Sequence, residues 1–312
     1  MRSSNNDRMD IPFGGKLIVF GGDFRQILPV VPKGSRHDIV FATINSSYLW
    51  GSCKVLTLTR NMRLASVNSE IDAAIAKDFS EWILSVGDGK VGDVDDVEAS
   101  IQIPPDLLIT DVDDLVSSIV RSTYPTLSDI QNPAQFYQER AILAPTNEIV
   151  ETVNDYVLSS LSGDEHEYLS ADSICLSERS TAGDEILYST EFLNSIKCSG
   201  VPNHLLKLKV GIPVMLLRNL DQSAGLCNGI RLIVTRLGIH IVQADIISGR
   251  NIGHTVYIPR IVLSPSDTRY PFKFQRRHFP VMNCFAMTIN KSQGQTLSKV
   301  GLYLSKNVFS HG

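Results

Sequence analysis

Lys291, Ser292, Gln293 and Gly294 place a cation, a hydroxyl, an amide and a small residue in four consecutive positions. Such a set suits an anionic oxygen, because cation and donors converge where glycine lets the backbone come close. Alone, the string is also an ordinary turn. A second candidate is Gly21-Gly22-Asp23-Phe24-Arg25-Gln26. Two glycines after an apolar strand expose backbone amides at a sheet's C-terminal edge, and Gln26 can donate to a phosphate oxygen or accept from a water. Alone, Gly-Gly-Asp is more often just a tight turn. A third candidate is Thr146-Asn147, which opens a helical pattern. A capped helix N-terminus is suited to a phosphate, and capping and binding are compatible.

These residues need elements to position them. KLIVFGGDF (16–24) reads as a buried strand ending in a glycine turn, and VLTLT (54–58) as a second strand. Ile71, Ala74, Ile75, Phe79, Trp82, Ile83 and Val86 recur at helical spacing, with Gly87 as the stop. Residues 88–114 hold nine acids and one lysine around Pro104-Pro105, which reads as a solvated loop or hairpin. RAILA (140–144) followed by a capped helix is the unit of a parallel α/β sheet. From about 205 the texture turns to short β segments separated by Gly, Asn, Asp and Ser. At 283–304 the α/β texture returns: MNCFAMTIN as a strand, KSQGQTL as a turn into a helix, KVGLYL as a last strand. The simplest model is a β module inserted into an α/β domain.

Composition is that of a globular protein, 43% hydrophobic and 20% charged. No apolar run is long enough for a transmembrane helix, and the polar start MRSSNNDRMD is no secretory signal. Cys53, Cys175, Cys198, Cys227 and Cys284 contain no C-x-x-C pair, so neither zinc nor a disulfide framework is expected, and the natural compartment is reducing. The net charge of −4 hides an asymmetry. From Lys197 onward, fifteen Lys and Arg face three acids, and the first 196 residues are correspondingly acidic. This is either a footprint for a polyanion or a dipolar protein whose basic face meets its own acids. Arg269, Lys273, Arg276 and Arg277 interleave with Tyr270, Phe272 and Phe274. That pattern fits stacking on single strands, and equally a β-strand with one apolar face.

Joined in order, GGDFRQILPV, LTRNMRL (58–64), ILAPTNEIVETVN (142–154) and FAMTINKSQGQTL (285–297) resemble the petite-integration-frequency family of DNA helicases. These are RecD-like members of helicase superfamily 1, and the likeness is greatest to the plant and Helitron-transposon branch. It runs over nearly the whole chain. It implies an α/β fold: a RecA-like P-loop NTPase helicase core with an inserted small β-barrel. The implied division is the tail of a first RecA-like domain over 1–52, a second domain over 53–204 and 281–312, and the barrel over 205–280. The resemblance gives Gln26 the role of the motif III glutamine that senses the γ-phosphate. Arg63 becomes an arginine finger, with Arg60 a looser second candidate. Gly22, Gln293 and Gly294 lie beside the nucleotide. Thr146, Asn147, Thr288, Lys291, Ser292 and Gln295 lie beside DNA.

The implied function is an ATP-dependent 5′-to-3′ DNA helicase, with ATP and Mg²⁺ as cofactors. Single-stranded and forked DNA are the implied partners, in a monomer in the nucleus or mitochondrion. Three family features are absent. No G-x-x-x-x-G-K-[ST] loop occurs in the 312 residues. The Asp-Glu pair that holds Mg²⁺ is expected before Gly21, outside this chain, so no metal ligand is assigned here. The motif VI arginine is expected beyond Gly312. The chain therefore reads as a fragment inactive alone, with the apolar stretch 11–31 exposed or poorly ordered for want of sheet neighbours. A second reading is a non-catalytic nucleic-acid-binding transposon remnant. A third reading, an ordinary metabolic α/β enzyme, is remote, because the sequence offers no nucleophile–base set or dinucleotide fingerprint.

Overall fold

A computed structural model describes residues 12–24, 28–29, 31, 34–62, 64, 70–92, 100–110, 114–127, 133–174, 188–198, 200–265, 270 and 272–306. The chain divides into two compact units, 1–108 with 310–312, and 109–309.

In the first unit, α1 (Arg36–Phe41) starts from a capping box. Ser35 Oγ accepts from the Asp38 amide, and Asp38 returns the bond to the Ser35 amide at 2.7 Å. The helix α2 (Glu70–Gly87) ends where the sequence places its stop. Gly89, at φ 66°, then carries the turn that follows. The two strands expected at 16–24 and 54–58 do not form. Their residues lie in no described strand, and Leu17 is 91% and Leu58 98% exposed. The reason is physical: a strand has no internal hydrogen bonds, and no described neighbour completes a ladder with these two. Among the described residues up to Leu108, none is buried.

The second unit holds the core. It contains α3 (Leu115–Thr123), α4 (Pro133–Gln138), β1 (Arg140–Ala144) and α5 (Asn147–Ser160), then β2 (His166–Leu169), β3 (Ala171–Ile174) and α6 (Thr190–Ser195). The strands β4 (Leu205–Leu208), β5 (Pro213–Leu216), β6 (Arg231–Leu237), β7 (Ile241–Ile246), β8 (Thr255–Pro259) and β9 (Ile261–Leu263) follow. Last come β10 (Phe274–His278), β11 (Val281–Asn283), β12 (Ala286–Thr288) and β13 (Lys299–Leu302).

The strands β12, β1 and β13 form a parallel sheet in that order. Ile142, Val150, Val153 and Val157 are wholly buried as α5 packs on it. Beside them α3 crosses β13, where a Cβ on Gly301 would overlap the Thr123 side chain, so only glycine fits. Buried Asn154 clasps the returning chain: its Nδ2 donates to Asn283 O at 2.9 Å and its Oδ1 accepts from the Ala286 amide at 2.8 Å. Tyr124 Oη donates to Phe285 O at 2.6 Å. The turn after β12 does not open an α-helix. It is a 3-10 turn, Ile289–Ser292, and then a crossover whose Leu297 packs against a cluster of Ala141, Met215, Cys284 and Met287. Gly294, at φ 76°, and the short span leave no room for a helical turn to continue.

Between β1 and β12 in the chain, every described pairing is antiparallel. The order β11-β5-β6-β7-β8 makes a five-stranded sheet, with β3-β10-β9 and β2-β4 beside it. Among the described pairings β11 and β8 have one partner each, so this part of the antiparallel region pairs as a sheet. This β texture also starts before residue 205, because β2 and β3 find their partners in β4 and β10. Their pairing is long-range, and local pattern does not reveal it.

His278, on β10, is buried, and neither ring nitrogen has a hydrogen-bond partner. Burial, then the charges of Arg260 and Arg276, hold its pKa down to about 4. The unfolded chain takes up this proton near pH 6.5, whereas the fold refuses it until about pH 4. Stability is therefore whole above pH 6.5 and falls as the pH drops towards 4, by up to about 3 kcal/mol. Urea unfolding followed by circular dichroism should show a shallower loss over this window in His278→Phe. An identical slope in the variant would remove His278 from the account.

Candidate functional site

The parallel register decides which candidates meet. Ala144 pairs with Thr288, and the Tyr303 amide donates to Leu143 O at 2.9 Å, so three strand ends share one edge. The chain leaving β1 becomes the cap of α5. Thr146 Oγ1 accepts from the Ile149 amide at 3.4 Å, and Asn147 is exposed beside it. The chain leaving β12 becomes the turn with Lys291 and Ser292. Loops at the C-terminal edge of a parallel sheet are where such folds bind ligands.

Each side chain there has a definable state. Lys291 is half-buried, and desolvation holds its ammonium below the usual lysine range, with Cys284 opposing. Ser292 Oγ donates to Ile289 O at 2.7 Å, which ties the 3-10 turn. Gln293 and Gly294 are exposed, and nothing lies within 4 Å of where a Cβ on Gly294 would be, so a ligand can approach that backbone. Gln295 is committed elsewhere: its Nε2 donates to Gly229 O at 3.0 Å. Sequence reasoning missed Lys306, whose Nζ sits 3.0 Å from Glu148 on the first turn of α5. That contact lowers the Glu148 pKa. It also offsets a negative charge at the helix start that would repel a phosphate. A lone lysine after a final strand gives no signal by spacing, so only the register could reveal it.

The loops leaving this edge carry Thr146, Asn147, Thr288, Lys291, Ser292, Gln293 and Gly294, while the Gln295 side chain turns to Gly229. Gly22 belongs to the first unit and is exposed. Gln26 and Arg63 lie outside the described residues. No three His, Cys, Asp or Glu among the described residues are grouped to hold a metal ion, and the sequence has no phosphate loop. These residues by themselves do not fit Mg²⁺ or complete a nucleotide site.

The interleaved basic and aromatic string resolves as strand alternation. Phe274, Arg276 and His278 point inward, while Gln275 and Arg277 are exposed. Phe272 packs with Tyr188 and Phe192, and Tyr270 with Phe272, in a half-buried aromatic cluster; Arg269 lies outside the described residues. Much of the basic half is internally engaged. Arg231 donates to Tyr137 O and Arg140 O, Lys209 to Leu158 O and Leu161 O, and Lys207 pairs with Glu165 and Glu167.

Known proteins bear on this geometry. The family model described as PIF1-like helicase matches residues 1–97, and that described as DNA helicase Pif1, 2B domain, matches 191–237. The Xenopus laevis ATP-dependent DNA helicase PIF1 is 26% identical over 97% of this chain and 39% of its own length. Over these segments the chain is similar to PIF1-like helicases. The Danio rerio ATP-dependent DNA helicase PIF1 is likewise 26% identical, over 96% of the chain and 38% of its own length. The chain therefore spans under two-fifths of these PIF1 relatives. In structure it is similar to the Pif1 helicase of Candida albicans, with a TM-score of 0.52 at 22% identity, over 95% of this chain and 66% of that one. The fold is accordingly the α/β, RecA-like fold of PIF1 helicases. The 2B match begins in α6 and ends in β6, within the antiparallel part of the second unit.

Proposed function

We propose that this chain is part of an ATP-driven DNA helicase motor that moves 5′ to 3′ on single-stranded DNA and opens forked duplexes. The observation that carries this reading is the pairing of Ala144 with Thr288, which sets Thr146-Asn147 and the Lys291-Ser292 turn on one edge. A cation, hydroxyls and a helix N-terminus on one edge suit a DNA backbone and read no base. The assignment of 1–52 to a first RecA-like domain, and of 53–204 with 281–312 to a second around the module at 205–280, belongs to this reading. So do ATP and Mg²⁺ as cofactors, action as a monomer in the nucleus or mitochondrion, and roles in repair, recombination and telomere maintenance. Among the described residues no helix is long and apolar enough to cross a membrane.

A second reading, a nucleic-acid-binding protein without catalysis, rests on the same edge, whose Thr146, Asn147, Lys291 and Ser292 suit a phosphate backbone. Both readings expect salt-sensitive, sequence-tolerant binding of oligo(dT), measured by fluorescence anisotropy. Because so much of the basic half is engaged internally, few phosphates are contacted and the salt slope is modest. Lys291→Ala should lower affinity equally for all sequences and flatten the log–log salt slope by about 0.7, one phosphate contact. Absent binding at low salt, or binding indifferent to salt, would sink both readings.

A further inference from the structure

The crossover from β12 to β13 touches two bodies at once. On one side Leu297 packs with Ala141 and Met287 of the parallel sheet and with Met215 of β5. On the other, Gln295 Nε2 reaches Gly229 O at 3.0 Å in the β5–β6 hairpin. The hairpin is a firm receiver. The Gly229 amide donates to Leu216 O at 2.8 Å, and the Leu216 amide to Ile230 O at 2.9 Å. Gly229 sits at φ 89°, a conformation glycine accepts, so its carbonyl direction is set by the turn. The hairpin tip is closed by the Asn228 amide on Asn219 Oδ1 at 2.7 Å, and Asn251 Nδ2 holds Ala224 O at 2.8 Å from the β7–β8 turn. At the giving end, the Gln295 amide donates to Ser292 O at 3.0 Å. Gln295 is therefore bonded through its backbone to the residue next to Lys291 and through its side chain to the antiparallel module.

We propose that Gln295 is a positioning residue that couples the Lys291-Ser292 turn to the β5–β6 hairpin, so that DNA held at the turn stiffens the antiparallel module. The coupling to DNA rests on the nucleic-acid reading above; the mechanical tie does not. A donor is required at this position because Gly229 O faces it, and a side chain shorter than glutamine does not span the gap. Coupling through such a tie is reciprocal: what orders one end orders the other.

Hydrogen exchange on the 312-residue chain, with and without oligo(dT), tests both. Without DNA, Gln295→Leu should speed exchange in 217–231 by about fivefold, the worth of one hydrogen bond. Gln295→Lys, which restores a donor of similar reach, should return it towards the native rate. Loosening the hairpin by Asn219→Ala should in turn speed exchange in 288–297. With DNA, the native chain should slow in both 288–297 and 217–231, and Gln295→Leu only in 288–297. Native rates in 217–231 for Gln295→Leu would overturn the tie. Slowing of both segments in Gln295→Leu on adding DNA would overturn the coupling. If DNA slows neither segment in the native chain, the nucleic-acid reading fails while the DNA-free comparison still decides the tie.

Discussion

Arg63→Ala is expected to lower ATP turnover on the order of a thousandfold or more, with a far smaller change in nucleotide affinity, in a chain that carries a phosphate loop. An arginine finger meets charge that is present mainly in the transition state, so its loss appears in turnover before it appears in binding. The 312-residue chain itself should show no DNA-stimulated hydrolysis. It has no G-x-x-x-x-G-K-[ST] loop, whose amides and lysine would hold the β- and γ-phosphates. The experiment compares the chain alone with the chain joined at its N-terminus to the phosphate-loop region of a PIF1 helicase, measuring steady-state hydrolysis with and without single-stranded DNA. In the joined protein, Gln26→Ala should leave some hydrolysis but poor unwinding. Robust turnover by the chain alone would mean that other groups bind ATP, and a silent Arg63→Ala would remove its role.

Asp172→Ala should destabilise the second unit by about 3–5 kcal/mol, the usual cost of stranding one partner of a buried ion pair. Asp172 and Arg276 are 2.7 Å apart with both side chains 0% exposed. Every guanidinium donor is used. Nε bonds Asp172, Nη1 bonds Ile196 O and Pro202 O, and Nη2 bonds Asp172 and Leu193 O. One arginine thus ties β3, β10, α6 and the loop after α6. Removing the carboxylate leaves a charge in the core with only carbonyls to face it. Replacing both partners, as in Asp172→Leu with Arg276→Met, should recover most of the loss, because nothing charged is then left unpaired. Urea unfolding by circular dichroism reads the effect. A loss of only about 1 kcal/mol in Asp172→Ala would mean that water reaches the arginine.

Local pattern alone determined several things about this protein. The strand RAILA, its Thr146 cap and the helix behind it follow from an apolar run, a hydroxyl and 3.6-residue spacing, all within a dozen positions. The likeness to PIF1-like helicases was legible for a related reason: the strings that carry it are short and contiguous. The change to β texture from about residue 205 was legible as well, from turn residues at short spacing, but its earlier start in β2 and β3 was not. Tertiary structure alone decided the rest, because it depends on partners distant in sequence. KLIVF and VLTLT have every local mark of strands and form none among the described residues, since a strand exists only with a neighbour. Arg276 and Phe274 resemble a DNA-binding string and are core, because pairing of β10 with β3 turns that face onto Asp172 and α6. Gln295 reads as a DNA contact and bonds Gly229, sixty-six positions away. That Thr146 and Lys291 follow strand ends on one edge rests on one register, Ala144 to Thr288, between strands separated by the whole antiparallel module. A sequence states what each segment can pair with, but which pairing forms is settled by the burial that all the segments achieve together.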